Sequence, residues 1–146
     1  MQNITADAYI EPFPHLVFHN FYTDEELELI WEELKFYTKP NKLFDVEEYQ
    51  GVVGYTKAKA LHLDAVYTGR NRVLSSILEV SRKVFDSQIL EPFSNLHDCC
   101  STAEHSNYDV TKVRYYHNGD YYKPHKDMFF DFLAFSYFYR EPKRFE

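Results

Sequence analysis

An α+β fold is what this sequence predicts, on three observations. Aromatic residues are unusually abundant, an acid-capped helix pattern stands near the start, and the texture turns strand-like after residue 109. Of the 146 residues, 45% are hydrophobic and 18% aromatic, with 13 Tyr and 13 Phe. Such side chains pack well on a pleated surface, and this richness argues against disorder. A chain of this length reads as one domain, 1–146, and can bury roughly 70% of its unfolded surface. Only 4 Gly and 6 Pro occur, so no segment reads as a flexible linker.

Taken in order, residues 13–21 are apolar and partly β-branched and predict a strand. Thr23 then opens a helix: Thr23-x-x-Glu26 is a capping box, and Asp24, Glu25 and Glu26 set negative charge at the positive end of the helix dipole. Leu27, Ile30, Trp31 and Leu34 follow at helical spacing, and the acids between them are expected to form a solvated face. Residues 39–69 give mixed signals, with Gly51 and Gly54 bracketing a short hairpin at Val52-Val53. A long second helix is expected over 70–89, from the stripe Val73, Leu74, Ile77, Leu78, Val84 and Phe85, with Pro92 as its stop. Residues 91–109 read as a polar, irregular connection. Beyond it, 110–116 is a β-rich run closed by the turn signal Asn118-Gly119, a short segment spans 121–127, and 132–139 reads as a further strand. Helices first and strands last suggest helices packed on a sheet, with 1–109 as a helical support region that includes strands.

Charge narrows the function. Sixteen basic against 23 acidic residues give a net charge of −7, which repels phosphate backbones and disfavours nucleic acid as a partner. No apolar run approaches the roughly 20 residues of a spanning helix, and residues 1–7 lack the pattern of a signal peptide, so a membrane role is not expected. Cys99 and Cys100 are adjacent and make no disulfide framework, so the expected compartment is the reducing cytoplasm.

One pair of residues suggests metal chemistry. His125-Lys126-Asp127 is a His-x-Asp pair, and on a strand residues i and i+2 share a face, so both side chains can grip one ion. Two His and one carboxylate form the facial triad of non-haem iron sites, which leaves positions open for oxygen and substrate. A second pair, His62-Leu63-Asp64, has the same spacing but none of the same surroundings, and His62 is read as a structural or surface histidine. His117, beside the glycine turn, is read as a surface residue.

The surroundings of the first pair are Tyr116-x-x-Gly119-x-x-Tyr122-x-Pro124-His125-x-Asp127. This stretch resembles the metal-binding entry of the prolyl-4-hydroxylase-like iron(II)- and 2-oxoglutarate-dependent dioxygenases, closely over about thirty residues and loosely elsewhere. The resemblance implies a double-stranded β-helix (jelly-roll) with the N-terminal helices packed on it, 110–146 supplying its first strands. It implies His125 and Asp127 as metal ligands, with Tyr116, Tyr122 and Tyr137 lining the cosubstrate pocket. It also implies iron(II) and 2-oxoglutarate as cofactors, and allows ascorbate as auxiliary reductant. The reaction would hydroxylate an unactivated C–H bond, with a peptidyl proline as the first substrate candidate and small molecules as others, while 2-oxoglutarate is decarboxylated to succinate.

Such a site needs a distal histidine and then a basic anchor for 2-oxoglutarate. Residues 128–146 contain no His, and Arg140, Lys143 and Arg144 fall too early for the anchor. The expectation is therefore a C-terminally incomplete barrel. The alternative reading is a non-catalytic binding or assembly module on a degenerate dioxygenase fold.

Overall fold

A computed structural model describes residues 3–46, 54–105 and 109–124. The described residues form a mixed helix-and-sheet structure with small antiparallel sheets. Strands β1 (Thr5–Tyr9) and β2 (His15–His19) pair as an antiparallel hairpin, with Thr5 opposite His19 and Tyr9 opposite His15. Helix α1 (Asp24–Tyr37) follows. A three-stranded sheet then takes the order β3 (Phe44–Asp45), β5 (Lys59–His62), β6 (Lys112–Tyr115). Strand β4 (Thr56–Lys57) pairs instead with β7 (Tyr121–Tyr122). Strands thus open the chain and fill its middle, which corrects the expectation of helices first and strands last. Residues 39–69 hide three strands, β3, β4 and β5, because each is too short to show an alternation of its own.

The capping box forms. Glu26 N–H donates to Thr23 Oγ1 at 3.2 Å, and Thr23 N–H donates to the Glu26 carboxylate at 2.8 Å. Each such bond is worth about 1 kcal/mol at a helix start. Ile30 and Tyr37 are buried on the inner face of α1, with Leu34 packed beside them. The solvated acidic face, however, needs correction. Glu26 also holds Lys83, whose ammonium reaches the Phe21 carbonyl as well. Glu33 accepts three hydrogen bonds: from the Tyr37 hydroxyl at 2.8 Å, from Ser75 Oγ at 2.7 Å, and from the Ile77 N–H at 2.8 Å. Glu25, Glu28 and Glu32 do face solvent.

The expected helix over 70–89 is broken into pieces. A 3-10 turn spans Gly69–Leu74, α2 (Leu63–Val66) precedes it, α3 is Ser76–Ser81, a second 3-10 turn covers Arg82–Phe85, and α4 is Ser87–Ser94. The breaks fall where polar residues compete for the backbone. Ser75 is fully buried, caps α3 by accepting from Leu78 N–H at 3.2 Å, and stands in extended geometry. Asp86 likewise stands in extended geometry ahead of α4, without a side-chain cap bond. The stripe consequently splits: Ile77, Leu78 and Val84 are buried, while Val73 and Leu74 are exposed. Pro92 lies inside α4 rather than ending it, and the helix runs only two residues past it. Residues 91–109 also hold more order than expected, with 3-10 turns at Asp98–Cys100 and Ala103–His105.

The main core joins α1, α3 and the sheet through Ile30, Tyr37, Leu43, Leu63, Ile77, Leu78 and Val113. A second cluster of Phe21, Val84 and Ile89 seats the chain entering α1 on the later helices. Between them the Glu33 carboxylate pins α1 to the start of α3. Glu33→Ala leaves the buried Ser75 hydroxyl and the Ile77 N–H without their acceptor, so urea unfolding is expected to show a loss of about 2–4 kcal/mol. The exposed Glu28→Ala should stay within about 0.5 kcal/mol of the parent.

Candidate functional site

Alternation along the strands divides the sheet into two faces. On one, Leu61 lies opposite Val113, and both contribute to the helix-packed core with Tyr115. On the other, Ala60 lies opposite Arg114. Residues directly opposite in an antiparallel pair share a face. Two residues beyond Arg114 comes Tyr116, and β4 presents Thr56 opposite Tyr122. Thr56, Ala58 and Ala60 are all buried, and Ala58 and Ala60 cluster with Val46.

Tyr116 and Tyr122 are brought together there, around a residue the sequence reading passes over. The Arg114 guanidinium stacks on the Tyr122 ring, 4.5 Å from its centroid. Burial works against the Arg114 charge, but hydrogen bonding to the Tyr116 and Tyr122 phenols outweighs it, and the pKa is raised. Among the described residues no Asp or Glu forms an ion pair with Arg114. A half-buried guanidinium with no carboxylate partner among the described residues, flanked by two phenols, is chemically suited to a carboxylate ligand, which it can hold bidentately. The signal in the sequence is the i, i+2 spacing of Arg114 and Tyr116, read together with Tyr122.

The backbone leading toward His125 is fixed from the middle of the chain. Lys123 N–H donates to the Tyr55 carbonyl at 3.1 Å. Thr56 Oγ1 donates to the Tyr121 carbonyl, and the Tyr55 hydroxyl to the Pro124 carbonyl, both at 3.3 Å. His125, Asp127 and Tyr137 themselves, and the strand expected over 132–139, lie outside the described residues, as does the hairpin at Val52-Val53. Among the described residues no three His, Cys, Asp or Glu side chains gather to hold a metal ion.

Between β6 and β7 the chain turns through Asn118 and Gly119, where Gly119 takes a φ of +86° that a side chain would disfavour. Asp120 organises this turn. It accepts from the His117 N–H at 2.8 Å and pairs with Lys57 at 3.2 Å, and its side chain is nearly buried. His117 itself is exposed, with Nδ1 3.3 Å from the same carboxylate and its ring edge-on to Tyr115. Asp45, Lys57, Lys59, His117 and Asp120 border an open cleft of about 210 Å³. Its lysines are matched by its acids, Lys57 with Asp120 and Lys59 with Asp45, so it offers a ligand no excess charge.

The other His-x-Asp pair is committed to structure. Asp64 holds Arg72 through one oxygen and accepts the Thr111 N–H at 2.6 Å through the other, while Arg72 also reaches Asp109 at 3.4 Å. His62 ends β5 opposite Lys112, and burial, then the Lys112 and Arg114 charges, lower its pKa. No family model, curated protein or solved structure matches this chain.

The turn should respond to acid. The His117 N–H, assisted by Lys57, holds the Asp120 pKa below its ordinary value despite some burial. A carboxyl with a lowered folded pKa adds stability that is complete above its unfolded pKa and is lost as pH falls through the folded value. The His117 amide resonance should therefore titrate below about pH 4 in the parent. In Asp120→Asn that transition should vanish.

Proposed function

We propose that this chain carries the entry half of an iron(II)- and 2-oxoglutarate-dependent hydroxylase, with Arg114, Tyr116 and Tyr122 forming one wall of the cosubstrate pocket. The observation that carries the reading is the convergence of the two tyrosines named by the prolyl-4-hydroxylase-like resemblance on one sheet face, around a cation that pairs with no Asp or Glu among the described residues. In this reading β5, β6 and β7 belong to the opening of a double-stranded β-helix. His125 and Asp127 then follow β7 by three and five residues, as two ligands of the iron.

Bound iron with 2-oxoglutarate would supply the oxidising power for C–H hydroxylation, the part of such chemistry that cofactors contribute. The chain's own residues do the positioning. Arg114 neutralises and orients a carboxylate, and the Tyr116 and Tyr122 hydroxyls fix its direction by hydrogen bonds. Tyr55 and Thr56 hold the backbone up to Pro124 so that the following residues leave the sheet from a set point. A ligand held by several groups on rigid strands reacts from a restricted set of geometries, which is where this kind of scaffold gains rate. The substrate proposed first is a peptidyl proline, on family analogy, which is a weaker warrant than the site itself.

Succinate release from 2-oxoglutarate by the natural full-length protein, with iron(II), ascorbate and oxygen, tests the proposal. Turnover is expected, with His125→Ala abolishing it. Arg114→Met should raise the KM for 2-oxoglutarate by about tenfold or more, as expected for loss of a charge-assisted hydrogen bond. Binding of 2-oxoglutarate without turnover would move the protein to a binding module on the same face. No binding at all would remove the reading.

A further inference from the structure

A second cluster with ligand chemistry lies away from the sheet, in the 3-10 turn Asp98–Cys100 that packs against α4. His97, the residue before the turn, accepts the Cys99 N–H at Nδ1 over 3.2 Å, and the same nitrogen lies 3.1 Å from Cys99 Sγ. The Cys100 N–H is held by the His97 carbonyl at 2.8 Å. With both amides fixed, the two sulfurs are set on one side of the turn, 3.8 Å apart. Cys99 is exposed and Cys100 is buried, so the pair opens to solvent through Cys99.

That separation discriminates between two fates of the pair. A disulfide needs the sulfurs at about 2.05 Å and Cα atoms at least about 4.4 Å apart, whereas neighbouring Cα atoms across a trans peptide are about 3.8 Å apart. Direct oxidation therefore has to distort the backbone. Inserting one large atom does not. Two sulfurs bound at about 2.3 Å to a tetrahedral ion lie about 3.8 Å from each other, the distance already present. We propose that Cys99 and Cys100 form a preset two-sulfur site for a soft, thiophilic cation, such as a d10 metal ion or trivalent arsenic.

Two protein ligands suffice for such a species, whose preference for sulfur over oxygen and nitrogen supplies the selectivity. The remaining positions are filled from solution. With a divalent metal ion, each thiol gives up its proton to buffer and two metal–sulfur bonds form. With phenylarsine oxide, the two thiol protons leave with the arsenic-bound oxygen as one water, two arsenic–sulfur bonds replace the arsenic–oxygen bond, and arsenic stays trivalent. Neither step transfers electrons. Holding both sulfurs on one short turn makes the second bond intramolecular, so losing either cysteine should weaken binding by about 100-fold.

The test is a cadmium titration of the full chain at neutral pH under a non-thiol reductant, read by the ultraviolet thiolate-to-cadmium band. One ion per chain is expected, with Cys99→Ser and Cys100→Ser each weakened as above and the double variant silent. Cys99 is exposed, so Cys99→Ser remains informative if Cys100→Ser fails to fold. Phenylarsine oxide should also bind the native chain about tenfold or more tighter than the urea-unfolded chain, where the sulfurs are no longer preset. No thiolate band, an unchanged titration in Cys99→Ser, one ion per two chains, or equal arsenical affinity in native and unfolded chains would overturn the proposal.

Discussion

The pairing of β5 with β6 is the constraint on which the rest depends. It joins the middle of the chain to the segment that leads toward His125, and its register decides what each sheet face carries. Because side chains alternate with a period of two, a slip of one residue would exchange the faces. Val113 and Tyr115 would leave the helix-packed core, and Arg114 would enter it without a partner for its charge. The observed register places Val113 in the core and Arg114 on the other face, opposite the buried Ala60. The Asp64 junction supports the same register from the strand ends. One of its oxygens holds the Thr111 N–H and the other Arg72, while Leu63 N–H reaches the Thr111 carbonyl.

The helices are tied to this sheet by apolar packing, with directional control from a few half-buried charges. Glu33 decides where α3 starts relative to α1, and Glu26 with Lys83 fixes the later 3-10 turn against the start of α1. Removing one member of such a group leaves its partners unsatisfied in a poorly solvated setting, which costs more than the bond itself contributes. The site inherits its rigidity from these contacts, since β6 presents Arg114 on one side and packs on this helix layer through the other.

Local signals were legible wherever one short segment determines the outcome. The Thr23–Glu26 capping box, the strand ahead of it, β6 and the Asn118-Gly119 turn all follow from neighbouring residues. What escaped reading depends on partners distant in sequence. The apolar spacing over 70–89 gives no sign that Ser75 turns its hydroxyl toward Glu33 or that the helix must restart after it. Glu33 looks like its solvated neighbours until Ser75 and Ile77 arrive. Tyr116 and Tyr122 are singled out by the resemblance around Gly119, but Arg114 acquires a place beside them only when β7 folds beside β4 and brings Tyr122 over it.

Proton–proton NOEs across the sheet measure the register directly. The account predicts contacts linking Ala60 with Arg114 and Leu61 with Val113, together with Thr56 to Tyr122 across the β4–β7 pair. Contacts linking Ala60 instead with Val113 or Tyr115 would show a slipped sheet. Arg114 would then face the helices, and the assignment of this face as the functional one would be contradicted.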